Sequence, residues 1–282
     1  MPELPEVETI RQVIQPQISG LTIEDVIIER PEVVAYPEAD AFCRLLTGQK
    51  ISHMMRRGKF LTVLLDSGDR FTLHLRMTGC LLVVPREHPL EKHTHAVFRL
   101  NNGHELRFSD MRRFGRFWLL PKDAVDLYSG IEKLGIEPFD SRLTAGYLKA
   151  HFGKRKKAIK GCLLEQNVVA GIGNIYSDEI LFASGLFPAR PASSLRIEEW
   201  ERLAATIPER LSYFTNKNAT TPKAYLEGKG RDYRNTPFLQ VYGHDGQLCP
   251  VCRDTLRRIV IGGRSSVYCP SCQKDLSHEK NR

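Results

Sequence analysis

At 282 residues, 41% of them apolar, the chain is long enough for two or three domains, and its net charge of +8 favours a polyanionic partner, nucleic acid first. It has no run of about 18 apolar residues, which excludes a membrane helix, and its opening stretch carries acids and prolines instead of a secretory signal core. Of seven cysteines, four cluster near the C-terminus, a pattern of reduced, cytosolic thiols and a metal site rather than of a disulfide framework.

The opening PELPEVE sets Pro2, Glu3, Pro5 and Glu6 where most chains fray, and alone it reads equally well as a disordered acidic tip. Behind it, Val7, Ile10 and Ile14 share one face of a predicted helix that Pro5 starts and Pro16 ends or kinks. From about 20 to 120 the pattern is that of strands. KFLTVLLD, RFTLHLRM, CLLVVP, HAVFRL, HELRFS and GRFWLL are short, rich in β-formers and partly alternating, with turn signals at 66–69 and 101–103. Evenly spaced short strands predict a β-sandwich or barrel.

From about 135 the spacing becomes helical, in LTAGYLKAHFG, KKAIKGCLLEQ, NIYSDEILFASG and IEEWERLAATIPERLSYF. NVVAGIGNIY joins the second to the third. It lacks the third glycine of a dinucleotide fingerprint and follows a helix, so a helix–turns–helix element is expected. Its second helix begins near Asn174, and free N–H groups at such a start bind phosphate. KRKKAIK at 154–160 places five basic groups just upstream, which alone fit a solvated face as readily as a nucleic-acid contact. Residues 215–240 are polar and glycine-bearing, and read as a linker and a long loop.

The tail carries the most specific local spacing. Cys249 and Cys252, then Cys269 and Cys272, form two C-x-x-C pairs that close a tetrahedral four-thiolate zinc site. Between them TLRRIVIGGRSSVY reads as a β-hairpin turning at Gly262-Gly263, with Arg264 at or just past its tip, suited to gripping a phosphate backbone, though a purely structural finger fits these residues equally well.

Taken together, PELPEVET at 2–9, RRGKFL at 56–61, LHLRMTG at 73–79, RRFG at 112–115, GIGNIY at 171–176 and the four-cysteine tail resemble the bacterial formamidopyrimidine-DNA glycosylases, the family that includes endonuclease VIII, over the whole chain. The resemblance implies an α+β multidomain fold. Its parts are an N-terminal catalytic β-sandwich with a leading helix (1–134), a helix-two-turn-helix DNA-binding domain (135–220), a lesion-recognition loop and linker (221–243), and a zinc-finger β-hairpin (244–282). It implies one structural zinc and double-stranded DNA with oxidised or abasic sites as partner. It also implies a monomer in the bacterial cytoplasm, at the nucleoid.

The implied reaction is excision of oxidised purines followed by nicking of the abasic site. Pro2 would be the nucleophile once Met1 is removed. An α-amino group has a reference pKa near 8 and is partly neutral at physiological pH, and the iminium it forms at C1′ drives β-elimination. Glu3 would be the general acid–base, with Glu6 one helical turn behind it. Lys59 would assist at the phosphate or in proton transfer, and Arg264 would clamp phosphates and serve the second elimination. Met77, Arg112 and Phe114 match side chains that fill the void left by an everted base. His74, His93, Arg155, Lys160 and Asn174 match phosphate-holding positions. The chain departs from the family pattern at Met111, where a proline is usual, in KGCLLEQ, and in the loop 228–238, which leaves the lesion preference open. The rival readings are an endonuclease VIII-type enzyme for oxidised pyrimidines and a non-catalytic, zinc-dependent DNA-binding protein.

Overall fold

Val7, Ile10 and Ile14 do lie on one buried face of a helix, α1 (Leu4–Ile18), which continues through Pro16 instead of ending there. Pro16 sits in the last turn, so only one helical hydrogen bond is lost, and Ser19 N–H still reaches the Gln15 carbonyl. The structure, a computed structural model, describes residues 2–230 and 236–275. It divides into two units, Met1–Glu132 with Asn218–Arg234, and Lys133–Lys217 with Asn235–Arg282.

In the first unit α1 is followed by β1 (Ile23–Ile28), β2 (Val34–Tyr36), α2 (Ala39–Leu46), β3 (Ile51–Arg57), β4 (Phe60–Leu65), β5 (Arg70–His74), β6 (Gly79–Pro85), β7 (Thr94–Leu100), β8 (His104–Asp110) and β9 (Arg116–Leu120). These strands form a four-stranded sheet ordered β1-β7-β8-β6 and a five-stranded sheet ordered β2-β9-β5-β4-β3. The sheets share one core. Phe71 and Phe98, one from each sheet, stack at 5.3 Å, and Phe42 of α2 packs edge-on against both and against Phe117. Helix α2 lies inside the stretch that the sequence assigned to strands. Its signal was the i,i+4 pair Phe42 and Leu46, both buried.

The second unit holds α3 (Ala145–Phe152), α4 (Ile159–Leu163), α5 (Asn174–Ala183) and the long α6 (Ile197–Lys217). The chain then returns to the first unit as α7 (Pro222–Glu227), a helix where the sequence read a linker. Thr221 caps it, and Pro222 starts it. Its Tyr225 is buried in the first core and donates to the Leu81 carbonyl at 2.9 Å. Helices α1 and α7 both pack on β6, which explains the unbroken apolar run CLLVV: both faces of that strand are covered.

The last strands among the described residues form the hairpin β10 (Arg257–Ile261) and β11 (Arg264–Tyr268). Ile261 pairs with Arg264, so Gly262 (φ 55°) and Gly263 (φ 76°) are the two-residue turn, in a left-handed backbone that glycine adopts most readily. The hairpin is fastened to the helices by a buried carboxylate. Asp178 on α5 accepts from Lys160 Nζ at 2.7 Å, Ser266 Oγ at 2.6 Å and Val267 N–H at 3.0 Å. Burial pushes the Asp178 carboxyl up in pKa, and the Lys160 charge opposes that push. Glu179 beside it accepts from three successive backbone N–H groups, of Gln240, Val241 and Tyr242, at 2.9–3.1 Å.

Candidate active site and metal centre

The start of α1 is packed, not frayed. Pro2 is buried and Glu3, the helix N-cap, is 1% exposed. Glu3 and Glu6 form a reciprocal capping box, in which the Glu6 carboxylate accepts from the Glu3 N–H at 2.9 Å. That N–H belongs to the peptide joining Pro2 to Glu3, so Glu6 fixes the plane on which Pro2 sits. One turn on, Glu8 binds Arg56 of β3 at 3.1 Å, and Arg56 also donates to the Gly58 carbonyl at 3.1 Å. Against the upward push of burial, Arg11 and then Arg56 hold the Glu8 carboxyl below its ordinary pKa. The helix start is thereby tied to the β3–β4 turn, Gly58-Lys59, where Lys59 is only 8% exposed.

His74 ends β5 opposite Phe60, whose ring meets the imidazole edge-on at 4.6 Å. Its Nδ1 accepts from the Arg76 N–H at 2.9 Å, which leaves Nε2 to carry the proton of the neutral ring. Burial first, then the charges of Arg76 and Lys59, lower its pKa to about 3. His74 therefore stays neutral at physiological pH, and any phosphate it held would be met by an N–H donor, not by a cation.

Met77, Arg112 and Phe114 come together on two loops, after β5 and after β8. The Arg112 guanidinium lies 2.9 Å from Met77 Sδ and 4.8 Å from the centre of the Phe114 ring. Both apolar members face solvent, Met77 39% and Phe114 46% exposed. Neither side chain is part of the core. His93 is in a left-handed backbone conformation (φ 72°), and its carbonyl accepts from the Asp110 N–H.

In the second unit, α4, a turn and α5 give the expected helix–turns–helix. Gln166 shapes the turn, donating to the Ile172 carbonyl at 2.7 Å and accepting from the Gly171 N–H at 3.0 Å. Asn174 opens α5, and its buried Oδ1 has no hydrogen-bond partner among the described residues. Arg155 pairs with Glu165, which Lys157 also reaches at 2.9 Å. The hairpin tip closes over α4 around a cavity of about 500 Å³ that Arg264, Lys157 and Glu165 line together. Lys160 is a correction. It is fully buried and donates to Asp178 and, at 2.9 Å, to the Ser265 carbonyl, so its ammonium fastens β11 to α5 instead of facing a phosphate. Its place inside helix α4, among apolar neighbours Ile159 and Cys162, was the missed signal.

The four sulfurs of Cys249, Cys252, Cys269 and Cys272 lie within 4.8 Å of one another, with 3.9 Å between Cys249 and Cys272 and 3.4 Å between Cys252 and Cys269. A tetrahedral four-thiolate zinc with bonds near 2.3 Å sets its sulfurs roughly 3.8 Å apart, so the group fits.

Comparison with known proteins decides the family. Its N-terminal domain model matches residues 1–117, its helix-two-turn-helix model residues 134–223, and a zinc-finger model shared with isoleucyl-tRNA synthetase residues 246–274. The formamidopyrimidine-DNA glycosylase of Pelotomaculum thermopropionicum is 42% identical over 97% of this chain and 99% of its own length. That of Geobacillus kaustophilus is 41% identical over 97% of this chain and 100% of its own. The chain belongs to the formamidopyrimidine-DNA glycosylase family. Among solved structures, Lactococcus lactis Fpg in complex with oxidised-pyrimidine DNA superposes with a TM-score of 0.89 at 32% identity, covering 97% of this chain and 100% of that one. The same enzyme with abasic-site DNA gives the same TM-score, identity and coverage. As in the family's finger, the four thiolates hold one structural zinc. Sequence reasoning missed three carboxylates of this family member, Asp110, Asp178 and Glu179, because nothing in local spacing marks a buried acid that serves distant N–H groups.

The depressed pKa of His74 has a measurable sign. As pH falls from about 6.5 the unfolded imidazole protonates while the folded one resists until about 3, so folding is progressively opposed. His74→Asn keeps an acceptor for Arg76 and cannot titrate. Between pH 6.5 and 4.5, above the range of ordinary carboxylates, urea unfolding should show the native protein losing stability relative to His74→Asn, at up to about 1.4 kcal/mol per pH unit. Parallel curves would mean that His74 is not held neutral.

Proposed function

We propose that this protein is a bifunctional DNA glycosylase and abasic-site lyase of base excision repair, acting on oxidised purines in duplex DNA. The observation that carries the reading is the buried, capped start of α1, which keeps Pro2 and Glu3 from fraying and so supports a fixed nucleophile with a proton partner beside it. With Met1 removed, Pro2 is a secondary amine. It attacks C1′ of the damaged nucleotide as the bond from C1′ to the base breaks, and the base takes up the proton that the amine gives up. Glu3 then protonates the sugar ring oxygen O4′, the C1′–O4′ bond breaks, and the nitrogen lone pair forms the C1′=N bond. The resulting iminium is cationic at any pH and acidifies the C2′ proton. Its loss breaks the strand by β-elimination, and Arg264 and Lys59 serve the phosphates and the second elimination. Zinc takes no part in this chemistry. It stiffens the hairpin that carries Arg264.

Met77, Arg112 and Phe114 would enter the stack as the base leaves it. An apolar side chain fills the hole, the ring wedges the adjacent step and the guanidinium pairs with the orphaned base. His74, His93, Arg155 and the Asn174 helix start would hold flanking phosphates. Such a substrate fits a cytoplasmic, nucleoid-associated bacterial location. A second reading, oxidised pyrimidines, draws support from the oxidised-pyrimidine complex of the Lactococcus relative. Part of the loop 228–238, residues 231–235, lies outside the described residues. The non-catalytic reading is disfavoured by Pro2, Glu3 and Lys59, all present and all buried.

Glu3→Gln keeps the side-chain oxygen that caps the helix but cannot deliver a proton. On duplexes carrying 8-oxoguanine opposite cytosine, excision should fall at least about 100-fold. Nicking of a preformed abasic duplex should persist, because an aldehyde has no base to expel. Thymine glycol run in parallel separates the two substrate classes. If Glu3→Gln excised 8-oxoguanine at the native rate, Glu3 would not be the acid.

Chelation gives a second test. The apolar cluster under the finger is small, comprising Phe182, Val241, Leu256, Val267 and two of the cysteines. Metal removal should therefore disorder the finger and weaken DNA binding while the first unit stays folded. Cooperative unfolding of the whole chain, or unchanged DNA affinity, would contradict this.

A further inference from the structure

Asp110 ends β8 almost wholly buried and serves both loops that carry the exposed Met77, Arg112 and Phe114. Its Oδ2 accepts from the N–H groups of Phe114 and Gly115, each at 2.8 Å. Its Oδ1 accepts from the Thr78 hydroxyl and, at 3.2 Å, from the Arg112 N–H. Thr78 Oγ1 in turn accepts from the same Arg112 N–H at 3.1 Å. The Asp110 backbone is held as well, its N–H donating to the His93 carbonyl at 3.0 Å and its carbonyl accepting from His95 Nε2 at 2.8 Å. One carboxylate thus ties the segment after β5 to the segment after β8.

The backbone there is under load. Among the described residues five non-glycine residues have positive φ, and three of them, Arg76 (55°), His93 (72°) and Arg113 (57°), lie in the three loops that meet at Asp110. Such conformations cost about 1–3 kcal/mol each and persist where their surroundings over-determine them. Gly115 is a further constraint: a Cβ there would meet the Phe108 ring at 2.4 Å, so the loop lies flat on the core.

We propose that Asp110 and Thr78 form a clip that holds Met77, Arg112 and Phe114 as a preformed wedge, making both of them positioning residues for base eversion. This rests on the wedge role proposed above for those three side chains. A wedge set in advance would lose little entropy on entering the stack, whereas two unlinked loops would have to be ordered at that moment. The clip acts through the wedge and touches no reacting atom.

Thr78→Val removes the hydroxyl and keeps the shape, and Thr78→Ser restores the hydroxyl. With 2-aminopurine beside an 8-oxoguanine, fluorescence reports unstacking, and single-turnover assays follow lesion excision and abasic nicking on separate duplexes. Thr78→Val should slow both unstacking and excision roughly tenfold, the scale of one lost hydrogen bond to a charged acceptor. Abasic nicking should change less than about twofold, since no base has to be unstacked, and Thr78→Ser should behave as native. A loss of folded protein would lower both rates equally, so an equal loss on the two duplexes overturns the clip, as does native excision by Thr78→Val. Phe114→Ala is run alongside. If it is slow while Thr78→Val is native, only the clip fails. If Phe114→Ala is itself native, the wedge reading fails and the clip with it.

Discussion

A chain end frays unless something holds it, and here the holding is done by a helix whose first turn is already core. Leu4 and Val7 are buried, so α1 cannot loosen at its start without exposing them. An aliphatic side chain fully buried contributes about 1.5–3 kcal/mol, so the two together offset the ordering of a few terminal residues at about 1–2 kcal/mol each. Glu6 then fixes the peptide after Pro2, and Glu8 and Arg56 lock the helix to the strand that leads into Lys59. The nucleophile candidate, the acid beside it and the nearby lysine are therefore set by one packed helix and one turn. Chemistry of this kind tolerates little misplacement, and a packed helix end is a stiffer support than a loop.

Buried carboxylates do comparable work elsewhere. Asp110 gathers loops, Asp178 holds the finger hairpin, and Glu179 holds the three N–H groups of the segment leading to the finger. Each stands where apolar surface is scarce: at exposed loops in one case, beside a finger with a small core in the others. A carboxylate there satisfies several N–H groups that would otherwise be unpaired, and leaving such a group unpaired costs about 1–3 kcal/mol. The same logic explains Lys160. An ammonium in full burial is tolerable because it is paired, and Asp178 and the Ser265 carbonyl are two of its partners; removing Asp178 would take away the opposite charge.

The strands from Lys59 to Leu120 were legible because alternation and turn residues set their limits, and the sheets place them within a residue or two of the expected bounds at most ends. The zinc ligands were legible because four cysteines at fixed spacing are a local signal. Helix α2 was hidden because eight residues with two buried positions look like a strand in a strand-rich region. Helix α7 was hidden because its polar residues face out and only Tyr225 is deeply buried. Lys160 was misjudged because a basic run gives no sign of which member turns inward. The clustering of Met77 with Arg112 and Phe114 needed the fold, since they lie on loops separated by three strands and no local rule joins them.

Reduction by borohydride during reaction with an abasic duplex reports the covalent step directly. An iminium is converted to a stable amine, and digestion of the adduct locates the attachment. The expected result is a single protein–DNA adduct at the Pro2 nitrogen, with none formed by protein that retains Met1, whose proline nitrogen is an amide without an available lone pair. An adduct at Lys59, or equal trapping by the protein with its N-terminus blocked, would contradict the role assigned to the start of α1.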